Sequence, residues 1–427
     1  MTIKVQPITA LTVVCPPLEG IRIPDIASHR RLLSAGIMMG WALLFLARTS
    51  GAGGWTLTGA PDAVWTAVAC SADGRKLAAT DDSSNRIYTS KDFGQTWRLS
   101  FILATPLFFS DIASSADGSK IVVGTGSLQY DGGPIFLSPD SGVSWTPARG
   151  VPSRNWQSVA ASADGDTLLA GGDQGLYLST DSGVTWVSNM VPLQAYTSVG
   201  SSADGTKLFG VSNGSGLIYA STNSGATWLA HITSGSGGLY QVVMSADGRR
   251  LVGLGSYYTN KLYTSTDFGV TWRANDLPTG PVGARLASSA DGNVLVYAVG
   301  QAAQTSAIYL STDAGAHWLE TDAPVTNWWA LAASADGRRL VAAPLVGGIY
   351  SYYSPQNPTL DIGVSPGTIE LSWLVPSTNF VLQQAAGLEN PNWEAVTNVP
   401  VLNLTNLHYE ITTPAANHKA FYRLAPP

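Results

Sequence analysis

An eight-residue motif that recurs six times constrains the fold of this 427-residue chain more than any other feature of the sequence. Its clearest copy is STDSGVTW, from Ser179 to Trp186. Each copy lies between two short runs of β-forming residues, which is typical of the tip of a β-hairpin. We call the motif the box turn. Its copies begin at Ser90, Ser138, Ser179, Ser221, Ser265 and Ser311.

The residue types of the box turn match what a tight turn requires. A side-chain oxygen at the third position can accept hydrogen bonds from turn amides, and the Gly two residues later can adopt a positive φ. The Trp gives the outgoing strand a large apolar anchor. The third position is occupied by Asp92, Asp140, Asp181, Asn223, Asp267 and Asp313. We therefore expect these residues to have a structural role.

A second motif, SADG, alternates with the box turn and sets the period of the chain. It occurs seven times, at intervals of 40 to 47 residues. The copies begin at Ser71, Ser115, Ser162, Ser202, Ser245, Ser289 and Ser334. Repeats of this length with four short strands each are typical of β-propeller blades. The order within a repeat is strand A, SADG turn, strand B, loop, strand C, box turn and strand D. We predict an all-β fold with a seven-bladed β-propeller over residues 55–354.

The first and last repeats are incomplete in complementary ways. Trp55 lies 16 residues before Ser71, which is the spacing between a box-turn Trp and the next SADG, but no box turn precedes it. The repeat that begins at Ser334 lacks both a box turn and the strand that would follow. We expect the strand at Trp55 to complete the seventh blade, because closure removes exposed sheet edges.

The S-x-D-x-G-x-T-W pattern resembles the Asp-box (BNR) repeat of sialidases, sortilin-type receptors, xyloglucanases and photosystem II assembly factors, all of which are β-propellers. The resemblance implies a propeller whose boxes are structural and lie on the blade periphery. Sialidase-like activity would require an arginine triad and a Tyr/Glu pair. The predicted propeller contains a single Glu, Glu320, and no assignable triad.

Both flanks of the predicted propeller differ from it in character. In residues 1–54, His29-Arg30-Arg31 precedes an apolar run from Leu32 to Ala47 and then small residues, which predicts a signal peptide cleaved near residues 52/53. An uncleaved membrane anchor is the alternative. Within residues 355–427, the runs LSW, FVLQ, NW and FYRL resemble small Ig-like or fibronectin-type modules of secreted bacterial proteins, which implies a small β-sandwich-like domain. The predicted location is secreted, periplasmic or on the cell surface.

Composition narrows the classes of function. With 45 Gly, 14 Trp and no long helical periodicity, the sequence favours an all-β fold. A formal net charge of −6 without a Lys/Arg cluster in the body argues against nucleic acid or an anionic membrane surface as a partner. The histidines lack metal-ligand spacing, and cleavage would leave Cys70 as the remaining thiol. We expect no metal, no cofactor and no intrachain disulfide.

Aromatic residues recur six positions before the SADG serines, where strand A begins. The seven positions hold Trp65, Phe109, Trp156, Tyr196, Leu239, Gly283 and Trp328. Tyr240 and Trp329 follow one position later. Either these side chains surround the channel mouth and stack on a sugar or grip a peptide, or they wedge between blades as core, and the sequence favours the second interpretation. Under the first, the candidate ligand-binding residues are Trp65, Trp156, Tyr196, Trp328, Trp329 and Arg154.

These patterns predict a binding or scaffold protein that recognises a glycan or a protein. Strand order places the SADG and box turns at one face and the B–C and D–A loops at the other, where propellers usually bind ligands. The alternative is a glycoside hydrolase with two carboxylates ~5–9.5 Å apart at the channel mouth. Ten acidic residues of the predicted propeller lie outside the two motifs, and the sequence selects no pair among them.

Overall fold

The computed structural model describes residues 54–103, 107–127, 132–188, 191–212, 216–232, 238–255, 261–278, 285–300, 306–354, 360–365, 368–374, 381–385, 392–403, 407–414 and 421–425. Every regular element in these ranges is a β-strand. The predicted all-β class is therefore confirmed. The predicted signal peptide lies outside the described residues and stays a prediction.

The described strands between residues 55 and 353 group into seven sheets. β1 (Trp55–Leu57) belongs to the last of them. The first sheet contains β2 (Ala63–Cys70), β3 (Leu77–Asp81), β4 (Arg86–Ser90) and β5 (Arg98–Ile102). The second contains β6 (Phe108–Ser114), β7 (Ile121–Gly126), β8 (Phe136–Ser138) and β9 (Thr146–Pro147). The third contains β10 (Trp156–Ala161), β11 (Leu168–Gly172), β12 (Gly175–Ser179) and β13 (Val187–Ser188).

The remaining sheets repeat this plan. The fourth contains β14 (Tyr196–Ser201), β15 (Leu208–Ser212), β16 (Leu217–Ser221) and β17 (Leu229–Ile232). The fifth contains β18 (Leu239–Met244), β19 (Leu251–Gly255), β20 (Lys261–Ser265) and β21 (Arg273–Asp276). The sixth contains β22 (Arg285–Ser288), β23 (Leu295–Ala298), β24 (Ile308–Ser311) and β25 (Leu319–Glu320). The seventh contains β26 (Trp328–Ala333), β27 (Arg339–Pro344), β29 (Tyr350–Tyr353) and β1, while the two-residue β28 (Val346–Gly347) pairs with β2.

The sheets are arranged around a common axis as the blades of a propeller. Strand A of each blade contacts strand A of the next, in the closed order β2, β6, β10, β14, β18, β22, β26 and β2. Hydrophobic side chains fill the space between neighbouring blades. Between the first and last blades, for example, Val68 and Leu77 pack against Ala330 and Val341. The apolar residues of strands A and B thus face a neighbouring blade on each side, which explains their nearly continuous burial.

The N-terminal strand closes the ring of blades. β1 pairs antiparallel with β29, with Trp55 opposite Tyr352 and Leu57 opposite Tyr350. The Trp55 ring packs against Tyr352 and Trp328, at centroid distances of 5.4 and 6.1 Å. Its Nε1 donates to Thr321 Oγ1 at 2.9 Å. Trp55 therefore takes the position that a box-turn Trp takes in the other blades, although no box turn precedes it.

The SADG turns form a ring of hydrogen bonds around the axis. The Ala N–H of each turn donates to the Ala carbonyl oxygen of the next turn, over distances of 2.6–2.8 Å. The ring runs through Ala72, Ala116, Ala163, Ala203, Ala246, Ala290 and Ala335 and returns to Ala72. Within a turn, Ser202 Oγ donates to Asp204 Oδ1 at 2.6 Å and accepts from the N–H of Lys207 at 2.9 Å. The motif recurs because each blade must make the same turn.

The strands after residue 360 form two further sheets. One contains β30 (Asp361–Ser365), β31 (Thr368–Leu374), β34 (Val401–Asn403) and β35 (His408–Pro414). The other contains β32 (Val381–Ala385), β33 (Glu394–Ala395) and β36 (Phe421–Ala425). They share a core of Leu371, Trp373, Leu382 and Ile411. Leu407 packs against Ala163, Ala203 and Ala246, so it covers part of the SADG end of the axis. The division of the chain at residue 355 stays a prediction.

Candidate functional site

The box turns are held together by hydrogen bonds from their own residues. Asp181 Oδ1 accepts from the N–H of Thr185 at 2.8 Å, and Oδ2 accepts from the Thr185 hydroxyl at 2.6 Å. Ser179 Oγ donates to Asp181 at 2.8 Å and accepts from the N–H of Gly183 at 2.8 Å. The hydrogen bonds from Thr185 lower the pKa of Asp181, which keeps the carboxylate ionised and an acceptor.

Two consecutive residues of each box turn have a left-handed backbone. In the third blade φ is 60° at Ser182 and 86° at Gly183. The sequence indicated this conformation at the Gly but not at the preceding position. A non-glycine residue at positive φ is strained, so the side-chain hydrogen bonds of the turn offset this cost. The polar groups of the motif are thus used within the turn.

The structure buries most of the aromatic residues that recur six positions before the SADG serines. Four of the candidate ligand-binding residues, Trp65, Trp156, Tyr196 and Trp328, are 0–1% exposed. Trp65 Nε1 donates to the carbonyl oxygen of Gly347 at 2.6 Å, and Trp156 Nε1 donates to that of Gly133 at 3.0 Å. These side chains wedge between blades, as the second interpretation states, and present no ring face to a ligand. These four residues therefore belong to the core between the blades.

A β-bulge at the start of strand A brings the following residue to the channel instead. The pairing register between strands A and B shifts at this point in six of the blades. Bulges leave one residue unpaired and re-aim its side chain. We call these the bulge residues: Thr66, Ser110, Gln157, Thr197, Tyr240 and Trp329. The corresponding residue 284 of the sixth blade lies outside the described ranges.

The six bulge residues all line one cavity of about 500 Å³, which we call the channel cavity. It lies at the end of strand A that is opposite the SADG turns. Trp329 and Tyr240 contribute aromatic surface, and the other four contribute hydroxyl and carboxamide groups. Of the predicted ligand-binding residues, Trp329 alone lines it. The sequence contained only a weak indication of the bulge residues. Tyr240 and Trp329 are the two aromatic side chains among them, and both lie one position after the recurring aromatic positions.

In four of the six blades with a described bulge, the side chain of the residue after the bulge is hydrogen-bonded to a neighbouring blade. Asp111 Oδ2 accepts from the N–H of Val159 and from the hydroxyl of Ser158, both at 2.9 Å. Ser158 Oγ in turn accepts from the N–H of Val199 at 3.2 Å. The same contact with the next blade occurs in the pairs Ser198–Val242 and Gln241–Leu286. These side chains hold the inner strands together beneath the cavity.

The charges of the cavity lining are balanced. Asp111 is the one carboxylate and Arg285 the one cation among the described residues that line it. The guanidinium carbon of Arg285 lies 4.5 Å from the centre of the Trp329 ring, a cation–π contact that orients the indole. Burial raises the pKa of Asp111, and the hydrogen bonds from Val159 and Ser158 oppose that shift.

A pair of carboxylates suited to glycoside hydrolysis is not found among the described lining residues. Both oxygens of Asp111 already accept hydrogen bonds, from the Ile112 N–H as well as from Val159 and Ser158. A glycosidase needs a second carboxyl group across the cleft. The hydrolase alternative therefore has no observation in its favour and stays a prediction.

Other candidate groups lie outside the channel cavity. Arg154 does not line it, and its Nη1 donates to Gln174 Oε1 at 2.6 Å. Burial raises the pKa of the Cys70 thiol to about 12, so the thiol is un-ionised and unreactive near neutral pH. Within the described ranges, no cluster of His, Cys, Asp and Glu is arranged to hold a metal ion. A search of the same ranges finds no helix with the length and apolar character to cross a membrane.

Comparisons with known proteins agree with this architecture. No protein-family model matches the chain, and no curated protein matches its sequence. YCF48 bound to a D1 peptide is similar over 73% of this chain and 99% of that chain, at 18% identity and a TM-score of 0.53. YCF48 from Cyanidioschyzon merolae is similar over 71% and 99%, at 15% identity and a TM-score of 0.53. A chain of the mitotic checkpoint complex is similar over 76% and 99%, at 13% identity and a TM-score of 0.56.

At these identities the likeness establishes the fold alone. Together with the ring of four-stranded sheets it defines the class, and the chain is a β-propeller protein. The predicted propeller fold is thus confirmed.

Proposed function

We propose that the chain is a secreted or envelope-associated binding propeller that recognises a glycan or a protein through the face carrying the B–C and D–A loops. The observation that carries this proposal is the channel cavity of about 500 Å³ at that face. Its volume falls in the ~300–1,000 Å³ range of ligand pockets. Its lining combines the aromatic rings of Trp329 and Tyr240 with hydroxyl and carboxamide groups, which suits specific binding of an uncharged polar ligand.

The two alternatives for the ligand each have some support. The solved complex of YCF48 with a D1 peptide supports a protein ligand, because that propeller has a similar fold. The mixture of aromatic and polar bulge residues supports a glycan, since sugars have apolar ring faces and polar edges. The turns at one face have a uniform conformation, whereas the residues around the channel cavity vary from blade to blade. This contrast favours the face with the channel cavity as the ligand-binding face for either kind of ligand.

Export of the protein is a further part of the proposal, and it is supported by the signal-peptide pattern before residue 53. The test is N-terminal sequencing of the protein produced from its full gene. We expect a mature chain that begins near Gly53. A product that retains Met1 would contradict cleavage and favour the anchor alternative.

The binding proposal is tested with glycan and peptide arrays probed with the labelled full chain. We expect reproducible binding that is lost in Trp329→Ala, because this ring lines the channel cavity. The matched control is Trp393→Ala, since Trp393 also stacks under an arginine, Arg423 at 4.3 Å, but does not line the cavity. Binding that survives Trp329→Ala would place the working surface elsewhere, and the lack of any binding would contradict the proposed function.

A further inference from the structure

We propose that the channel cavity binds one neutral sugar unit of a glycan, an inference that rests on the proposed function of the same face. The cavity is amphipathic in a way that matches a pyranose ring. Trp329 and Tyr240 supply aromatic surface, on which the C–H groups of a sugar ring can pack by dispersion. The other bulge residues supply hydroxyl and carboxamide groups, which both donate and accept hydrogen bonds as sugar hydroxyls do.

Three polar groups of the lining have unused hydrogen-bonding capacity. Ser110 Oγ and Thr197 Oγ1 are buried at the wall of the cavity without a hydrogen-bond partner among the described residues. Rotation about χ1 moves either hydroxyl between its staggered positions, which allows it to meet a ligand. The carboxamide of Gln157 makes no hydrogen bond with other described residues. Unpaired buried hydroxyls destabilise a folded protein, so their presence at one cavity indicates a ligand that pairs with them.

The unpaired groups contrast with the neighbouring ones that the fold uses. Asp111, Ser158, Ser198 and Gln241 line the same cavity, but their hydrogen bonds join adjacent blades. Apart from Arg285, whose guanidinium packs over the Trp329 ring, the groups left for a ligand are therefore uncharged. Because Asp111 and Arg285 balance each other in the lining, a neutral ligand meets no excess of charge. This favours a neutral sugar over an acidic or basic group.

The test uses the full chain and a panel of methyl α- and β-glycosides of hexoses, pentoses and N-acetylhexosamines as probes. Binding is detected by saturation-transfer NMR and measured by titration. We expect at least one glycoside to bind and Trp329→Ala to weaken its binding by about tenfold or more. Gln157→Ala and Ser110→Ala are expected to weaken it by about three- to tenfold. Trp329→Phe retains an aromatic face and should preserve most of the affinity.

The stability of the same variants makes the test specific. Ser110→Ala removes an unpaired buried hydroxyl, so it should unfold at a temperature no lower than the wild type while it loses affinity. Trp393→Ala should bind the glycoside as the wild type does. The proposal is overturned if no glycoside of the panel binds, or if bound glycoside is indifferent to both Trp329→Ala and Gln157→Ala.

The outcomes also separate this inference from the proposed function. A peptide from the array that competes for the cavity and depends on Trp329 would overturn the sugar proposal and leave the binding propeller in place. A glycan or protein that binds at the loops without depending on the bulge residues would do the same. Only the lack of any ligand on the arrays would overturn both.

Discussion

The two ends of the propeller axis are built in opposite ways. At the SADG end, turns of identical sequence form a closed ring of hydrogen bonds through their Ala residues. At the other end, the six described bulge residues are of five different types and make no comparable ring. At the SADG end, the same backbone hydrogen bond recurs in every blade. The second leaves side chains with different chemistry around one cavity.

This difference shows where repetition in a propeller has a structural cause. A residue recurs where each blade has the same turn to make or the same gap to fill, as at Ser202 and Asp204 of a SADG turn or at Trp328 between blades. A residue varies where no neighbouring blade requires it. Adjacent positions of one strand can therefore differ in role. Trp328 fills the space between blades, whereas Trp329 lines the channel cavity.

The largest expected effect separates these two tryptophans. Trp328 is fully buried and packs edge-on against Tyr350 at 5.5 Å, so Trp328→Ala should lower the free energy of unfolding by about 3–5 kcal/mol. Trp329 is only partly buried, so Trp329→Ala should cost about 1 kcal/mol or less. Urea unfolding of both variants measures the difference. Equal costs would contradict the assignment of one residue to the core and the other to the cavity.

A smaller effect is expected at the box turns. Asp181→Ala should lower the free energy of unfolding by about 1–3 kcal/mol, because the Thr185 N–H and hydroxyl lose their acceptor. Asp181→Asn should cost less, since in the equivalent turn Asn223 Oδ1 accepts from the Thr227 N–H and Asn223 Nδ2 donates to the Thr227 hydroxyl, both at 2.9 Å. Ligand binding should be unchanged in both variants. A stable Asp181→Ala protein that no longer binds its ligand would show that the ligand binds at the face of the box turns and not at the channel cavity.

The smallest effect is on the response of stability to acid. Hydrogen bonds from the His317 N–H and ring lower the pKa of Asp313 to about 2, and those from Thr185 lower the pKa of Asp181. Asp side chains titrate at ~3.9 in an unfolded chain, so the stabilising contribution of these carboxylates is complete above that pH. It is lost as the pH falls through the lowered pKa of each group, which is about 2 for Asp313. Each contribution is small because these turns are largely exposed to solvent.

Two substitutions sharpen this prediction. Asn223→Asp adds a carboxylate to the one box turn that lacks it, so it should steepen the loss of stability between about pH 4 and pH 2. Asp181→Asn should make the loss shallower. Burial raises the pKa of Asp111 and Asp336, and these groups act in the opposite direction because the folded state gains their protons first. Urea midpoints measured across this pH range test the prediction, and identical profiles for the three proteins would contradict it.

The sequence alone determined the all-β class, the propeller arrangement and the way in which β1 completes the last sheet. These features follow from local chemistry, since turns require particular residues and their spacing sets the length of a blade. The intervals also revealed that Trp55 was a strand D without its box turn. Pairing of β1 with β29 is what that spacing predicts.

Only the tertiary structure decided which residues face the channel. The aromatic pattern six residues before SADG left two positions open for Trp65, Trp156, Tyr196 and Trp328, the channel mouth or the core, and all four are buried between blades. The bulge at the start of strand A turns the next residue toward the channel, and a bulge depends on pairing between two strands rather than on the residues of one. Side-chain direction alternates along a strand, so a one-residue irregularity decides which residue faces the core and which faces the cavity. The spacing of residues in the sequence does not show where such an irregularity occurs.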